Sequence, residues 1–186
     1  MTEKKWVLMT NDDGIEAPGF EHLVKAMNSA GIPLVAFAPS TNKSACSMQL
    51  NLGKPIDLHN RRELIKQWGL DETVGVHLFA LDGTPCDTMI VALDGGLKHV
   101  LPDVEPSLVL SGVNLGPNLS QDSYHSGTMG AAREAGLYGM PAIASSLTAT
   151  APVLTSSPGF SARTSLTCLS AHHHSGGYIP TFSSFV

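Results

Sequence analysis

Two adjacent carboxylates stand at the end of a short apolar run near the beginning of the sequence. Asp12 and Asp13 lie in residues 10–14, directly after the apolar residues 6–9. Like charges this close repel each other, and burial increases the repulsion unless a cation or hydrogen-bond donors compensate. A hard divalent cation, which prefers oxygen ligands, would compensate them. The alternative is that both residues are exposed and cap the next helix.

A second stretch has the residue types of an anion-binding site. Residues 112–118 form a loop that begins with Gly112, and Ser126, Gly127 and Thr128 open a predicted helix. The first turn of a helix offers unpaired N–H groups and a positive dipole potential, and hydroxyl groups add donors. The alternative is that Ser126 is a simple N-cap. Next to a divalent cation, such a site favours hydrolysis of a phosphate ester.

The apolar pattern predicts alternating strands and helices. Strands are predicted at residues 6–9, 34–38, 74–81, 107–113 and 142–147, and helices at residues 18–29, 61–68, 127–138 and from Pro85 to Gly95-Gly96. Thr84 followed by Pro85 and Asp87 resembles a capping box at the start of one helix. Repeated alternation of this kind is typical of a largely parallel sheet with helices on both faces.

Polar side chains follow four of these strands at the point where each ends. They are Asp12-Asp13, Asn42-Lys43-Ser44, Asp82-Gly83-Thr84 and Asn114. The carboxyl ends of parallel strands form the crevice in which ligands bind. We therefore expect these oxygen-bearing side chains to meet at one edge of the sheet.

Composition narrows the class of protein. The chain has 186 residues, of which 42% are hydrophobic and 15% charged, as in a globular domain with a sizeable core. The net charge is −5 with no basic block, so a nucleic-acid polymer is not expected as the main partner.

No apolar stretch approaches the ~18–20 residues that span a membrane. The N-terminal residues lack the apolar segment of a signal peptide. Three widely spaced cysteines without a zinc-like pair suggest a reducing cytoplasm.

Five short motifs, taken in their order along the chain, resemble the SurE (survival protein E) family. They are residues 10–14 with Ala17-Pro18-Gly19, residues 38–44, residues 83–87, residues 111–118, and Ser126-Gly127-Thr128. The resemblance covers about residues 6–147. It implies a Rossmann-like three-layer α/β/α sandwich with a mostly parallel sheet, assembled as dimers or tetramers. It also implies a metal-dependent 5′/3′-nucleotidase and acid phosphatase that acts on nucleoside monophosphates.

The resemblance also implies roles for individual residues. Asp12, Asp13, Ser44 and Asn114 would bind a divalent cation, Mg²⁺ or Mn²⁺, with the two aspartates as the catalytic pair. Ser126, Gly127 and Thr128 would bind the substrate phosphate, with Asn11 and Gly112 shaping the same pocket.

Residues 148–186 depart from the family pattern and are predicted to form an atypical low-complexity C-terminal tail after a core of residues 1–147. Residues 145–186 hold ten Ser, six Thr and a single charged side chain, Arg163. Such a composition favours a tail rather than a packed element. The run His172-His173-His174 is interpreted as an exposed polar tract. The tail stands where family members continue with further elements, so we expect weakened assembly and low activity, with an inactive shortened member of the family as one alternative.

Three other classes of protein share part of this pattern. A haloacid-dehalogenase-type phosphatase needs a nucleophilic Asp two positions before Asp82, where this chain has Ala80. A dinucleotide-binding module needs Gly-x-Gly-x-x-Gly after the first strand, which residues 11–14 do not supply. A signalling receiver domain, with an acidic pair after its first strand, is the remaining alternative; Asp57 stands at a suitable distance for its phospho-acceptor, but no Lys follows the last predicted strand.

Overall fold

The computed structural model describes residues 5–147, 164–174 and 177–185, and in the last two ranges only the backbone. Within these residues, eight strands form one sheet in the order β3-β4-β2-β1-β5-β6-β7-β8. The strands are β1 (Trp6–Thr10), β2 (Leu34–Pro39), β3 (Leu58–Asn60), β4 (Val76–Leu81), β5 (Pro106–Asn114), β6 (Ala142–Leu147), β7 (Thr164–His174) and β8 (Gly177–Phe185). The helices are α1 (Pro18–Ser29), α2 (Arg62–Gln67), α3 (Pro85–Val91), α4 (Leu97–Val100), α5 (Asp122–His125) and α6 (Gly127–Leu137).

Five neighbouring strands of the sheet are parallel. β4, β2, β1, β5 and β6 run in one direction, while β3 and β7 pair antiparallel at the two sides of this group. Every residue of β1 and β2 is buried, which explains why both strands are continuously apolar up to their ends. The prediction of a mostly parallel α/β sheet is confirmed.

Two separate cores lie on the two faces of the sheet. On one face, Phe20 and Val24 of α1 and Leu64 of α2 pack against the sheet. On the other face, Met89 of α3 and the alanines of α6 pack against Phe37 and its neighbours. The alternating side chains of the central strands supply both cores, so the molecule has the three layers α/β/α that the sequence indicated.

Several boundaries differ from the predicted ones for identifiable reasons. β4 begins at Val76 rather than at residue 74, because Gly75 has a φ of +102° that interrupts extended backbone. Helix α3 ends at Val91, and a wider turn over Ala92–Gly96 leads into α4, since Gly95 leaves helical geometry with a φ of +105°. The capping box of Thr84 and Asp87 is confirmed.

The sequence pattern did not reveal the antiparallel strands β3, β7 and β8 or the short helices α4 and α5. β7 and β8 lie in the segment predicted as a low-complexity tail, where they pair with each other and extend the sheet beyond β6. The domain boundary at residue 147 stays a prediction. The predicted character of residues 148–163 and of the side chains of His172, His173 and His174 lies outside the described residues. In the part of the chain that is described, no helix has the length and apolarity needed to cross a bilayer.

Glu134 is a charged residue on the buried side of α6 and provides a test of this packing. Its side chain is 8% exposed, and burial raises the pKa of its carboxyl. A carboxyl whose pKa is raised by folding costs stability when it is ionised, and this cost vanishes as the pH falls below its unfolded value of 4.5.

We therefore expect Glu134→Gln to raise the melting temperature at pH 7–8, with a gain that shrinks towards pH 4. A gain of about 1 kcal/mol corresponds to a shift of about 2–4 °C in a domain of this size. Glu105→Gln, at an exposed position, is the control and should leave the melting temperature unchanged. Equal shifts in both variants, or a gain that grows in acid, would contradict this packing of α6.

Candidate active site

The order of the five parallel strands places a crevice between β1 and β5. From β1 the chain proceeds to β2 and β4 on one side, and then returns to β5 and β6 on the other. Numbered in chain order, these strands are arranged 3-2-1-4-5. They match five of the six strands of the dinucleotide-binding order 3-2-1-4-5-6, in which ligands bind where the order reverses. A receiver domain has the order 2-1-3-4-5. The strand order therefore excludes the receiver alternative and directs attention to the ends of β1 and β5.

Asp12 lies two residues after the end of β1 and is buried, with 2% of its surface exposed. Its Oδ1 accepts a hydrogen bond of 2.6 Å from Thr128 Oγ1 in the first turn of α6. Its backbone carbonyl accepts another from the Lys43 N–H, which attaches the loop after β2 to the same residue. The alternative of an exposed helix cap is wrong for Asp12, because α1 begins only at Pro18 and the carboxylate is enclosed.

Asp13 is half-buried and contacts different neighbours. Its Oδ2 accepts a hydrogen bond of 3.0 Å from the Leu115 N–H just beyond β5, and Asn42 Nδ2 lies 3.5 Å from its Oδ1. Burial raises the pKa of Asp13, the Leu115 N–H lowers it, and the nearby charge of Asp12 raises it further. The carboxylate pair is therefore close enough for mutual repulsion, as the sequence indicated.

Asn114 and Ser44 belong to the two chain segments that contact this pair, the end of β5 and the loop after β2. Asn114 is the last residue of β5, next to the Leu115 N–H that binds Asp13, and its Nδ2 donates to Gly116 O. Ser44 is exposed and follows Lys43, and its N–H donates to Asn42 Oδ1. The structure thus brings Asn114 beside Asp13, and Ser44 into the loop attached to Asp12.

The donor set fits a hard divalent cation. Two carboxylates, an amide oxygen and a hydroxyl are oxygen ligands that carry two negative charges in total. The buried Asn11 Oδ1, next to Asp12 in the chain, has no hydrogen-bond partner among the described residues, so it adds an unsatisfied acceptor here. No three His, Cys, Asp or Glu side chains group together in the described part of the chain.

The N-terminus of α6 lies against Asp12. Ser126 is its N-cap, with its Oγ accepting from the Met129 N–H, and the first helical bond runs from Gly130 N to Ser126 O. The amides of Gly127 and Thr128 come before that first bond. A Cβ built on Gly127 would lie 2.8 Å from both Asp12 Cβ and Cys46 Sγ, so glycine is required for this approach. The N-cap interpretation of Ser126 is confirmed, and its part in anion binding stays a prediction.

The structure assigns local contacts to three further predicted residues. The Thr128 hydroxyl donates to Asp12, so its hydrogen is directed at a carboxylate rather than at a substrate anion. Asn11 Nδ2 donates to Gly14 O within the turn after β1. Gly112 has a φ of +125°, and a Cβ on it would lie 2.3 Å from Ser145 O, so it permits the close approach of β5 and β6. Their assignment to phosphate binding stays a prediction.

Two further side chains in the loops that follow the strands, those of Asp82 and Cys46, have different neighbours. Asp82, after β4, pairs with Ser40 and His59 instead of with Asp12 or Asp13, and these hydrogen bonds lower its pKa. Cys46, half-buried beside Gly127, was not predicted; a single cysteine in a polar loop carries no spacing signal, and only the folded loop places it there.

Comparison with known proteins identifies the family of this chain. The family model described as "Survival protein SurE" matches residues 7–175, and the chain therefore belongs to the SurE family. The match continues past residue 147. A crystal structure of SurE protein from Aquifex aeolicus superposes with a TM-score of 0.62 at 32% identity, and covers 80% of this chain and 53% of that one.

Curated relatives are similar over the same region. The protein named 5′-nucleotidase SurE from Anaeromyxobacter sp. (strain Fw109-5) is 38% identical over 146 residues, which are 78% of this chain and 50% of the relative. The protein of the same name from Myxococcus xanthus (strain DK1622) is 39% identical over 145 residues, 78% of this chain and 48% of the relative. The chain thus spans about half the length of these relatives.

Gly127→Ala tests whether the α6 N-terminus is packed against Asp12. Its new methyl group would overlap Asp12 and Cys46, and overpacking of this kind costs about 1–3 kcal/mol. Gly136→Ala in the same helix is the control; it meets no atom within 4 Å and should be neutral or stabilising by up to about 1 kcal/mol. Chemical denaturation measures both variants, and equal stability would show that α6 is not seated on Asp12.

Thr128→Val removes the hydroxyl donor of Asp12 while keeping the side-chain shape. A buried carboxylate that loses a donor costs about 1–3 kcal/mol, so we expect lower stability in the absence of divalent cations. Thr128→Ser keeps the hydroxyl and should be affected less. Thermal melts in a chelating buffer compare the two, and a Val variant as stable as the wild type would contradict the hydrogen bond.

Proposed function

We propose that this protein is a metal-dependent phosphomonoesterase that hydrolyses nucleoside 5′(3′)-monophosphates to nucleoside and inorganic phosphate. The observation that carries the proposal is the contact between the buried Asp12 of the carboxylate pair and the N-terminus of α6, made through Thr128 and Gly127. This contact supports a site in which a cation and a phosphate would be bound side by side, as metal-assisted hydrolysis of a phosphate ester requires. The names of the curated relatives support the substrate class.

In this proposal, Asp12, Asp13, Ser44 and Asn114 hold a divalent cation, Mg²⁺ or Mn²⁺. When bound, the cation neutralises charge on the phosphoryl group and lowers the pKa of an attacking water. The roles of the four side chains follow from their positions: the aspartates supply the compensating charge, and Ser44 and Asn114 supply neutral oxygens.

The first turn of α6 orients the phosphate in this proposal. The amides of Gly127 and Thr128 donate to its oxygens, and the dipole of an eleven-residue helix favours the negative charge. Ser126 fixes that turn through its capping bond, while Asn11 and Gly112 shape the adjoining backbone. The Thr128 hydroxyl positions Asp12. A water oxygen attacks phosphorus and gives up a proton, the ester P–O bond breaks, and the leaving oxygen takes up a proton, so that one water is consumed to give the nucleoside and inorganic phosphate.

The sequence also predicts a cytoplasmic protein, and the family resemblance predicts a homo-oligomer whose assembly we expect to be weakened by the divergent residues 148–186. We retain both as predictions about the whole protein, with no membrane and no nucleic-acid polymer as partner. A test of assembly should use the full chain, which includes the paired strands β7 and β8.

Substitution of the carboxylates tests the proposal. Asp12→Asn and Asp13→Asn should each abolish turnover of a nucleoside monophosphate in Mn²⁺ or Mg²⁺, because each removes half of the compensating charge. Asp82→Asn is the matched control, since this carboxylate also follows a strand but pairs with Ser40 and His59. Release of inorganic phosphate is measured, with and without a chelator. Metal-dependent turnover retained in both Asp12 and Asp13 variants would refute the assignment.

A further inference from the structure

The loop after β2 is attached at three points to the edge of the sheet that carries the carboxylate pair. This site loop, residues 40–52, contains Ser44, one of the proposed cation ligands. At the first point the Lys43 N–H donates a hydrogen bond of 2.6 Å to Asp12 O. The position of Ser44 relative to Asp12 therefore depends on how the rest of the loop is held.

The middle of the site loop is attached to the beginning of α6. The Ser47 N–H donates to His125 O at 2.8 Å, and Ser47 Oγ donates to Tyr124 O at 2.6 Å. A Cβ on Gly130 would lie 2.3 Å from Ser47 O, so α6 meets the loop through backbone. Ala45 and Ser47 have φ values of +58° and +52°. Residues with a Cβ keep this left-handed conformation only where surrounding contacts enforce it.

The far end of the site loop is attached to the N-terminus of α3 by Asp87. Asp87 Oδ1 accepts a hydrogen bond of 3.0 Å from the Asn51 N–H, and Oδ2 accepts one of 2.7 Å from Asn51 Nδ2. Oδ2 also accepts from the Thr84 N–H at 2.8 Å, within the capping box of α3. The Thr84 hydroxyl in turn donates to Gln49 O at 2.5 Å. The capping box of α3 thus holds the site loop as well as the helix.

Asp87 makes more hydrogen bonds than a helix cap needs. A capping box uses one hydrogen bond from the N-cap N–H to the side chain three residues on, and the Asn51 backbone and side-chain N–H groups add two more. Asp87 is 4% exposed, and a carboxylate enclosed in this way requires its donors. Hydrogen bonds to a charged group are also stronger than neutral ones. Release of Asn51 would remove donors from a buried charge, so the folded protein favours the attached loop.

We infer that Asp87 is a positioning residue of the active site: it fixes the far end of the site loop and so holds Ser44 beside Asp12. The left-handed residue Ala45 follows Ser44 directly, and its conformation is enforced by the attachments on either side of it. Without the attachment at Asp87, fewer contacts hold that conformation, and Ser44 is free to move away from the carboxylates. The inference rests on the proposed function for the role of Ser44 as a cation ligand.

Asn51→Ala tests this role, because it removes the side-chain donor of the loop and leaves the capping box of α3 in place. We expect the affinity of the full chain for Mn²⁺ alone, measured by calorimetry, to fall about tenfold, as when a group that supports a metal ligand is removed. In metal-free protein, NMR should show amide exchange rising about tenfold at Lys43 and Ser47, because the loop opens more often. Exchange at Thr88, whose N–H donates to Thr84 O in the intact cap, should stay within about twofold.

Asn28→Ala is the matched control. Asn28 is also a buried asparagine that holds a loop, through two hydrogen bonds with the backbone of Asp71 near the amino ends of the strands. Its loss should lower the melting temperature but leave the Mn²⁺ affinity and the exchange at Lys43 and Ser47 within about twofold of the wild type. Asp87→Asn, which replaces one acceptor oxygen by a donor, should weaken Mn²⁺ binding at least as much as Asn51→Ala does. If that variant does not fold, Asn51→Ala decides.

The two measurements separate this inference from the proposed function. If the wild type binds no Mn²⁺, the proposed metal site fails, and amide exchange alone decides whether Asp87 fixes the loop. The inference is overturned if Asn51→Ala leaves exchange at Lys43 and Ser47 unchanged, or if Asn28→Ala raises it equally. It is also overturned if the wild type binds Mn²⁺ and Asn51→Ala binds it with the same affinity.

Discussion

The structure depends on placing two adjacent carboxylates at the end of a strand that is buried along its whole length. β1 lies between β2 and β5 in the sheet, and every one of its residues is buried, so the chain is still enclosed by the protein when it reaches Asp12. A carboxylate in such a place requires donors or a cation. The protein supplies donors from two distant parts of the chain: the Thr128 hydroxyl for Asp12 and the Leu115 amide for Asp13.

These two hydrogen bonds explain several features that otherwise look unrelated. The Leu115 amide reaches Asp13 across 102 positions of sequence because β5 is the parallel neighbour of β1. Thr128 reaches Asp12 because α6 begins with Gly127, whose missing Cβ permits close contact with the Asp12 side chain. The reversal of strand order between β1 and β5 therefore opens a crevice. It also brings near the carboxylate pair the hydrogen-bond donors that stabilise it, the Leu115 N–H and the Thr128 hydroxyl.

Much of this arrangement could be predicted from the sequence, because the central strands are continuously apolar and end at polar residues. Residues 6–9 and 34–38 mark β1 and β2 closely, and Pro18 marks the start of α1. β3 has three residues and no period to detect, and β7 and β8 lie in a serine- and threonine-rich segment without an apolar stripe. At the site, residue types indicated Asp12, Asp13 and Asn114. They could not show that the Thr128 hydroxyl is directed at Asp12, because that contact depends on how α6 docks.

The account places one cation between parts of the chain that are far apart in sequence, and crystals grown with Mn²⁺ test this most directly. Anomalous scattering locates the ion without reference to activity. We predict one site per chain, with oxygen ligands from Asp12, Asp13, Ser44 and Asn114, and its loss in Asp13→Asn crystals. An ion bound elsewhere, or none at these carboxylates at saturating Mn²⁺, would contradict the account.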